Sequence, residues 1–466
     1  MIKKSLIFVL ITTIISINFL PANAAVSPDI VWDIYSGPKI GGVNYQSAVN
    51  NGNNVEIVGN DGSIVQLSTN TATFQSTTTS RVFDRDMSIY ALASYGSDNI
   101  VYMADYIGDS KEKKGGWIIN SKSKTFQVGE GALLNSVAVA DSGINSGRYV
   151  AVGGKVTKDG SESLSYVSVN GNDWSQVNTN NKNGPGKSWM YGCTWGKKEF
   201  LAVGDSAGIY RSTDGYDWTA VGEKDQCIKD LKNRNVKLRA ITWSGSRYVA
   251  VGDADTIITS EDGTRWVYSN YSASRKNESD FKFSDLRSVV WGGNQFVAVG
   301  DDSTVLTSFD GMDWFPVNKA IQEKNGDIPL RSVVWDGEKF IIVGYAETII
   351  CSVPVRVIAR GTRVNFQNQP MVSNGRLLVP VRDVSGIVDA QVDWDAQTRT
   401  VTVTKGRTKI LITIGNKISN VNGMNTDIGE PAAIVNGRTY VPLRFIGEAL
   451  SAKVEWLADT RVVKID

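Results

Sequence analysis

The chain has 466 residues, a formal charge of +1, no histidine and three cysteines. It is too long for one ordinary core and suits two domains, while near-neutrality gives no electrostatic case for nucleic acid. The absence of histidine excludes Ser-His-Asp and Cys-His nucleophile activation and histidine metal ligation.

Lys3 and Lys4 precede an apolar run from Leu6 to Leu20, and Ala22-Asn23-Ala24 is a small-residue cleavage site. Residues 1–24 therefore read as a secretory signal peptide, and its removal takes two lysines and leaves a charge of −1. No later segment approaches the length of a membrane span. The mature chain is expected to be secreted, extracellular or cell-wall associated.

Residues 25–354 carry a repeat. "LRAITWSGSRYVAVGDADTIITSEDGTRWVYS" (238–269) returns as "LRSVVWGGNQFVAVGDDSTVLTSFDGMDWFPV" (286–317), with further copies at 191–221 and 330–352 and divergent ones at 45–74, 90–128 and 135–177. Each unit has four short β-branched and aromatic runs parted by Gly or Asp-Gly, the signature of propeller blades with strands A to D, A innermost. The unit at 330–352 lacks a D strand, and "DIVWDIYSG" near the N-terminus belongs to no complete unit. A ring must not leave a bare sheet edge. Ile30–Ser36 is therefore expected to supply the missing strand by pairing with Thr348–Ser352, giving seven blades.

The turn S-x-D-G-x-x-W recurs between strands C and D. It resembles the Asp-box of sialidase-like and other propellers, with one residue fewer between Asp and Trp. Asp214, Asp262 and Asp310 are read as structural acceptors for their own turns, with Asn170 in the same place in "VNGNDW". Trp32, Trp174, Trp218, Trp266 and Trp314 fit the D-strand position, and Trp195, Trp243, Trp291 and Trp335 the A-strand position. Cys193 and Cys351 fall in apolar strands, and a Cys193–Cys227 bridge stays open.

"NGRLLVPVRDVSGIVDAQVDWDAQTRTVTV" (374–403) recurs as "NGRTYVPLRFIGEALSAKVEWLADTRVVKI" (436–465). Each copy reads as turn, strand, short helix, strand, turn, strand, with Leu443, Ile446 and Leu450 on one helical face. Residues 355–466 resemble the copper amine oxidase N-terminal-like domain, an accessory α+β module common on Gram-positive surface proteins. With no histidine, neither copper binding nor amine oxidase activity is expected, nor any other metal or cofactor. Arg382 and Arg444 follow Val-Pro in the two copies and are read as partners of nearby acids.

In a propeller the B–C and D–A loops share one face. The long polar segments here are all D–A loops, at 178–188, 222–237, 270–285 and 318–329, which makes that face the expected binding surface. Arg239, Arg287 and Arg331 open three A strands, and Asp205, Asp253 and Asp301 each close the B strand one blade earlier. Bridges Asp205–Arg239, Asp253–Arg287 and Asp301–Arg331 between neighbouring blades are expected. Ligand contact is expected in the remaining sector, near Tyr90, Trp189, Tyr191 and Tyr345. The chain is thus read as mainly β: a seven-bladed β-propeller followed by a small α+β two-repeat domain. Its expected role is non-enzymatic binding of a glycan, cell-wall polymer or protein. The alternatives are a glycan-cleaving propeller enzyme, since carboxylate pairs need no histidine, and a protein-assembly scaffold.

Overall fold

The computed structural model describes the chain from residue 30 onward, apart from residues 31, 35–40, 69–75, 82–85, 98, 107–114, 123, 180–182, 272–282, 293, 318–320, 322–325, 367, 436 and 458–460. The signal-peptide reading of residues 1–24 lies outside the described residues.

The repeat folds into a β-propeller of four-stranded antiparallel sheets. Six sheets run in chain order, with A strands at Tyr45–Asn50, Met87–Ser94, Ala132–Val139, Met190–Gly196, Leu238–Trp243 and Leu286–Gly292. A further sheet combines Leu330–Trp335, Phe340–Gly344 and Ile349–Ser352 with the N-terminal strand Trp32–Ile34. That strand pairs antiparallel with Ile349–Ser352, Trp32 opposite Ser352 and Ile34 opposite Ile350. Each A strand lies against the A strand of the next sheet, and Leu330–Trp335 lies against Tyr45–Asn50, which closes the circle.

Two aromatic layers explain the tryptophan spacing. The A-strand Trp packs at a tilt against an aromatic at the start of strand B of its own sheet: Trp195 on Phe200, Trp243 on Tyr248, Trp291 on Phe296 and Trp335 on Phe340, with centroids 4.2–4.6 Å apart and ring planes 41–60° from parallel. The D-strand tryptophans are buried. Trp174, Trp218, Trp266 and Trp314 donate Nε1–H to the carbonyl of Gly171, Gly215, Gly263 and Gly311, the glycine of the turn just before each.

Those turns are closed by their own side chains. Asp262 Oδ1 accepts from the backbone N–H of Thr264 at 2.9 Å and of Arg265 at 2.8 Å, while Ser260 Oγ accepts from Gly263 N–H at 2.8 Å. Asp214 and Asp310 repeat the arrangement, and Asn170 Oδ1 does the same for Asn172 and Asp173. The glycine is required twice over at Gly311: φ is +78°, and a Cβ would come 2.8 Å from Val249 of the preceding sheet.

All three cysteines are free thiols. Cys227 lies on helix α1 (Gln226–Asn233), inside what reads from sequence as a polar D–A loop. Cys227, Ile228 and Leu231 bury one face of α1 against Trp266, so this segment is packed structure rather than a solvated connector.

The C-terminal repeat forms three sheets. Strands Arg376–Pro380 and Arg438–Pro442 pair at its centre, each running into a short helix, α2 (Val381–Ile387) and α3 (Leu443–Ala449). Leu443, Ile446 and Leu450 are buried, as the helical period predicts. Arg382 and Arg444 are exposed. Arg444 reaches only Glu448, one turn along α3, at 4.0 Å, a surface contact of little energetic weight.

Candidate binding surface

Every A strand carries a β-bulge near its start. Leu238 faces Gly252 and Ala240 faces Val251, leaving Arg239 as the extra residue. The same break occurs at Gln46, Tyr90, Asn135, Tyr191, Arg287 and Arg331. A bulge re-aims its extra side chain. Here the bulged residues are half-buried and collect at the end of the sheets where A begins and B ends.

Two of the three expected ion pairs form differently. Arg239 Nε donates to Asp253 Oδ1 at 2.5 Å, and Arg287 donates to Asp301 Oδ2 at 2.5 Å from Nη2, both within one sheet. Each guanidinium reaches the Asp that ends its own B strand rather than the one before, whereas Arg331, equally bulged, has Tyr345 in that place. Only Arg331 makes the expected bridge to the preceding sheet, to Asp301 at 3.3 Å. Asp205, expected to hold Arg239, instead accepts from Tyr191 Oη at 2.9 Å, with Lys237 Nζ at 3.9 Å.

Further links between sheets come from a residue that the repeat did not single out. Asp285, immediately before the A strand Leu286–Gly292, sits 3.5 Å from Arg239 and 3.1 Å from Arg287. Its signal in the sequence is positional: Lys237, Asp285 and Pro329 stand directly before "LR", and two of the three are charged.

The result is a continuous arc. Tyr191, Asp205 and Lys237 begin it; Arg239, Asp253, Asp285, Arg287, Asp301 and Arg331 continue it; Tyr345 ends it, its ring 4.4 Å from the Arg331 guanidinium. Lys237 and Arg239 lie 5.5 and 5.7 Å from the Tyr191 ring centre, in cation–π range. Burial, then the Asp205 carboxylate on its hydroxyl, push the Tyr191 phenol well above its ordinary range. Three arginines and one lysine meet four carboxylates, so the arc is compensated and offers no free cation cluster.

The aromatics named from sequence fall at both ends of this arc. Tyr191 and Trp189 are at one end. Tyr345 is at the other, with Tyr90 near enough to Tyr345 and Asp105 to feel both electrostatically. Trp189 is packed rather than standing free: a Cβ on Gly154 would fall 2.3 Å from its ring. Its backbone is held by Asp205 on both sides, Trp189 N–H to Oδ2 at 3.2 Å and Asp205 N–H to the Trp189 carbonyl at 3.0 Å.

The C-terminal repeat sits on the other face. Phe309, from a C–D turn, is buried among Met371, Leu378, Val435 and Tyr440. Asn294, from an A–B turn, donates to Tyr440 Oη at 3.0 Å. Glu338, from another A–B turn, pairs with Arg363 at 2.6 Å and Arg356 at 3.8 Å. Docking thus uses A–B and C–D turns and leaves the arc uncovered.

Residues 358–465 match the family described as copper amine oxidase N-terminal domain. A protein named protease inhibitor from Brevibacillus choshinensis is 34% identical over 90 residues, which are 19% of this chain and 27% of that relative's length. Among solved structures the chain is similar to YCF48 bound to D1 peptide (12% identity, TM-score 0.47, 72% of this chain and 99% of that one). It is also similar to YCF48 from Cyanidioschyzon merolae (11%, TM-score 0.46, 69% and 98%) and to the WD40 β-propeller domain of Doa1 (14%, TM-score 0.43, 70% and 97%). Among the described residues no helix is long and apolar enough to cross a membrane, and no His/Cys/Asp/Glu cluster has metal-site geometry.

Proposed function

We propose that this chain is a non-enzymatic, secreted or cell-surface binding protein: a seven-bladed propeller that takes its ligand at the D–A face. The observation that carries this is the compensated arc, flanked by Tyr191 and Tyr345, on the face opposite the docked repeat. Its rigidity comes from ion pairs anchored on bulges, so little order has to be imposed on binding. Matched charge favours a ligand of low net charge that offers hydroxyls and ring faces, which suits a glycan or cell-wall polymer. A protein partner is the second reading, since aromatic and arginine side chains also dominate protein interfaces. Hydrolysis is disfavoured because the arc's carboxylates are each committed to a cation or a tyrosine hydroxyl.

A glycan array together with a pull-down from cell-wall extract tests this reading. The purified mature protein is expected to retain a polymer or partner and to release no new reducing ends during prolonged incubation. Steady release of sugar would establish the glycosidase alternative instead.

A further inference from the structure

The C-terminal repeat contains an open groove of about 990 Å³, well away from the propeller arc. Its floor is apolar, built from residues such as Leu377, Leu443 and Val463. Two of its walls are strands at sheet edges. Met424–Asp427 ends a five-stranded sheet, and Val454–Leu457 ends a four-stranded one. Both strands line the groove: Met424, Thr426 and Asp427 from one, and the alternate residues Val454 and Trp456 from the other. Met424 is 70% exposed and Trp456 41%, so both present large apolar surface at the rim.

The charges are unequal. Arg376, Arg444 and Arg461 line the groove against Asp427 and Glu448. Arg444 and Glu448 contact one another at 4.0 Å. Arg461 is held differently: its Nε is buried and has no hydrogen-bond partner among the described residues. Burial lowers its ordinarily very high pKa, and no carboxylate among the described residues offsets the effect. A half-buried guanidinium with no counter-charge among the described residues is one that a ligand carboxylate would stabilise.

We infer that this groove binds an extended peptide segment bearing apolar side chains and one carboxylate, the carboxylate pairing with Arg461 and the chain lying along an edge strand. Edge strands provide the backbone donors and acceptors that an added strand needs, and flanking pockets take its alternate side chains. Arg461 and Arg444 supply charge-assisted hydrogen bonds to the carboxylate, and Trp456 and Met424 close over the apolar residues.

The test uses the full mature chain and an array of short synthetic peptides that alternate Val, Leu or Ile with Ser or Thr. One set carries a single Glu at each position in turn, and a matched set carries Gln. At least one Glu peptide is expected to bind, with its Gln partner weaker by roughly tenfold or more. Arg461→Gln and Trp456→Ala should each reduce that binding by a similar factor. Should Arg461→Gln fail to give the wild-type melting curve, Arg444→Gln on the exposed rim replaces it, with a smaller loss expected. Failure of every peptide to bind, or equal binding by the Glu and Gln sets, overturns the proposal. It is also overturned if Trp456→Ala instead abolishes self-association in sedimentation or binding of soluble glycans, because the occupant is then a second copy or a sugar.

Discussion

Asp262 shows what one carboxylate does in each repeat. Burial alone would raise its pKa, but the N–H groups of Arg265 and Thr264 and their side chains outweigh that and hold it well below the usual carboxylate range. Asp214 is lowered in the same way by Tyr216, Asp217, Ser212 and nearby Arg148, again against burial. A carboxyl whose folded pKa lies below its unfolded value near 4 stabilises the protein above that pH and loses the effect as pH falls through and below it. Asn170 makes the same turn without charge. Asp262→Asn should therefore be nearly neutral at pH 7 and flatten the fall in melting temperature on acidification. Asp262→Ala should cost about 1 kcal/mol at pH 7 by losing the turn's acceptor. Thermal melts between pH 7 and 3 check both, and an alanine variant as stable as wild type would show that the turn does not depend on the side chain. The role of these aspartates was legible because the N–H groups that they accept from lie within three residues. The partners of Arg239 and Arg287 were not, because the Asp of the same sheet and the Asp of the preceding sheet hold the same place in the repeat.

At the scale of the element, the strand Trp32–Ile34 is the most informative. A unit without a D strand and a lone Trp at the opposite end of the chain made its pairing readable. Trp32 packs against Phe340 with centroids 6.4 Å apart, among Leu330, Val333 and Ile350. It also differs from its counterparts. They donate Nε1–H to the glycine of the turn before them, whereas no Asp-Gly precedes Trp32 in the sequence, and its Nε1 is buried without a partner among the described residues. Trp32→Ala should cost about 3–5 kcal/mol, as deletion of a buried aromatic does. Trp32→Phe removes the unpaired donor and should cost much less. Urea unfolding of the two variants measures the difference, and equal losses would mean that ring volume and the N–H play no separate parts. Helix α1 was missed at this scale. Its segment is polar overall, and only Cys227, Ile228 and Leu231, spaced one helical turn apart, betrayed a buried face.

For the whole molecule, the topology separates two faces. A–B and C–D turns hold the C-terminal repeat through Phe309, Asn294 and Glu338, and the arc of bulged residues occupies the end where D–A loops enter. Period and strand character were enough to read the propeller and the α+β repeat, because each unit restates the same pattern. The docking contacts were not readable, since Asn294 and Glu338 look like ordinary turn residues until the partner is placed beside them. The central claim is that ligand is held at the arc. It is tested most directly by the affinity of a soluble glycan that the wild-type protein retains on the array for the Tyr191→Ala/Tyr345→Ala double variant, with Trp456→Ala as the control in the distant peptide groove. Loss of about tenfold or more in the double variant, wild-type affinity in Trp456→Ala and folded melting curves for both are predicted. Undiminished binding by a folded Tyr191→Ala/Tyr345→Ala protein would contradict the account.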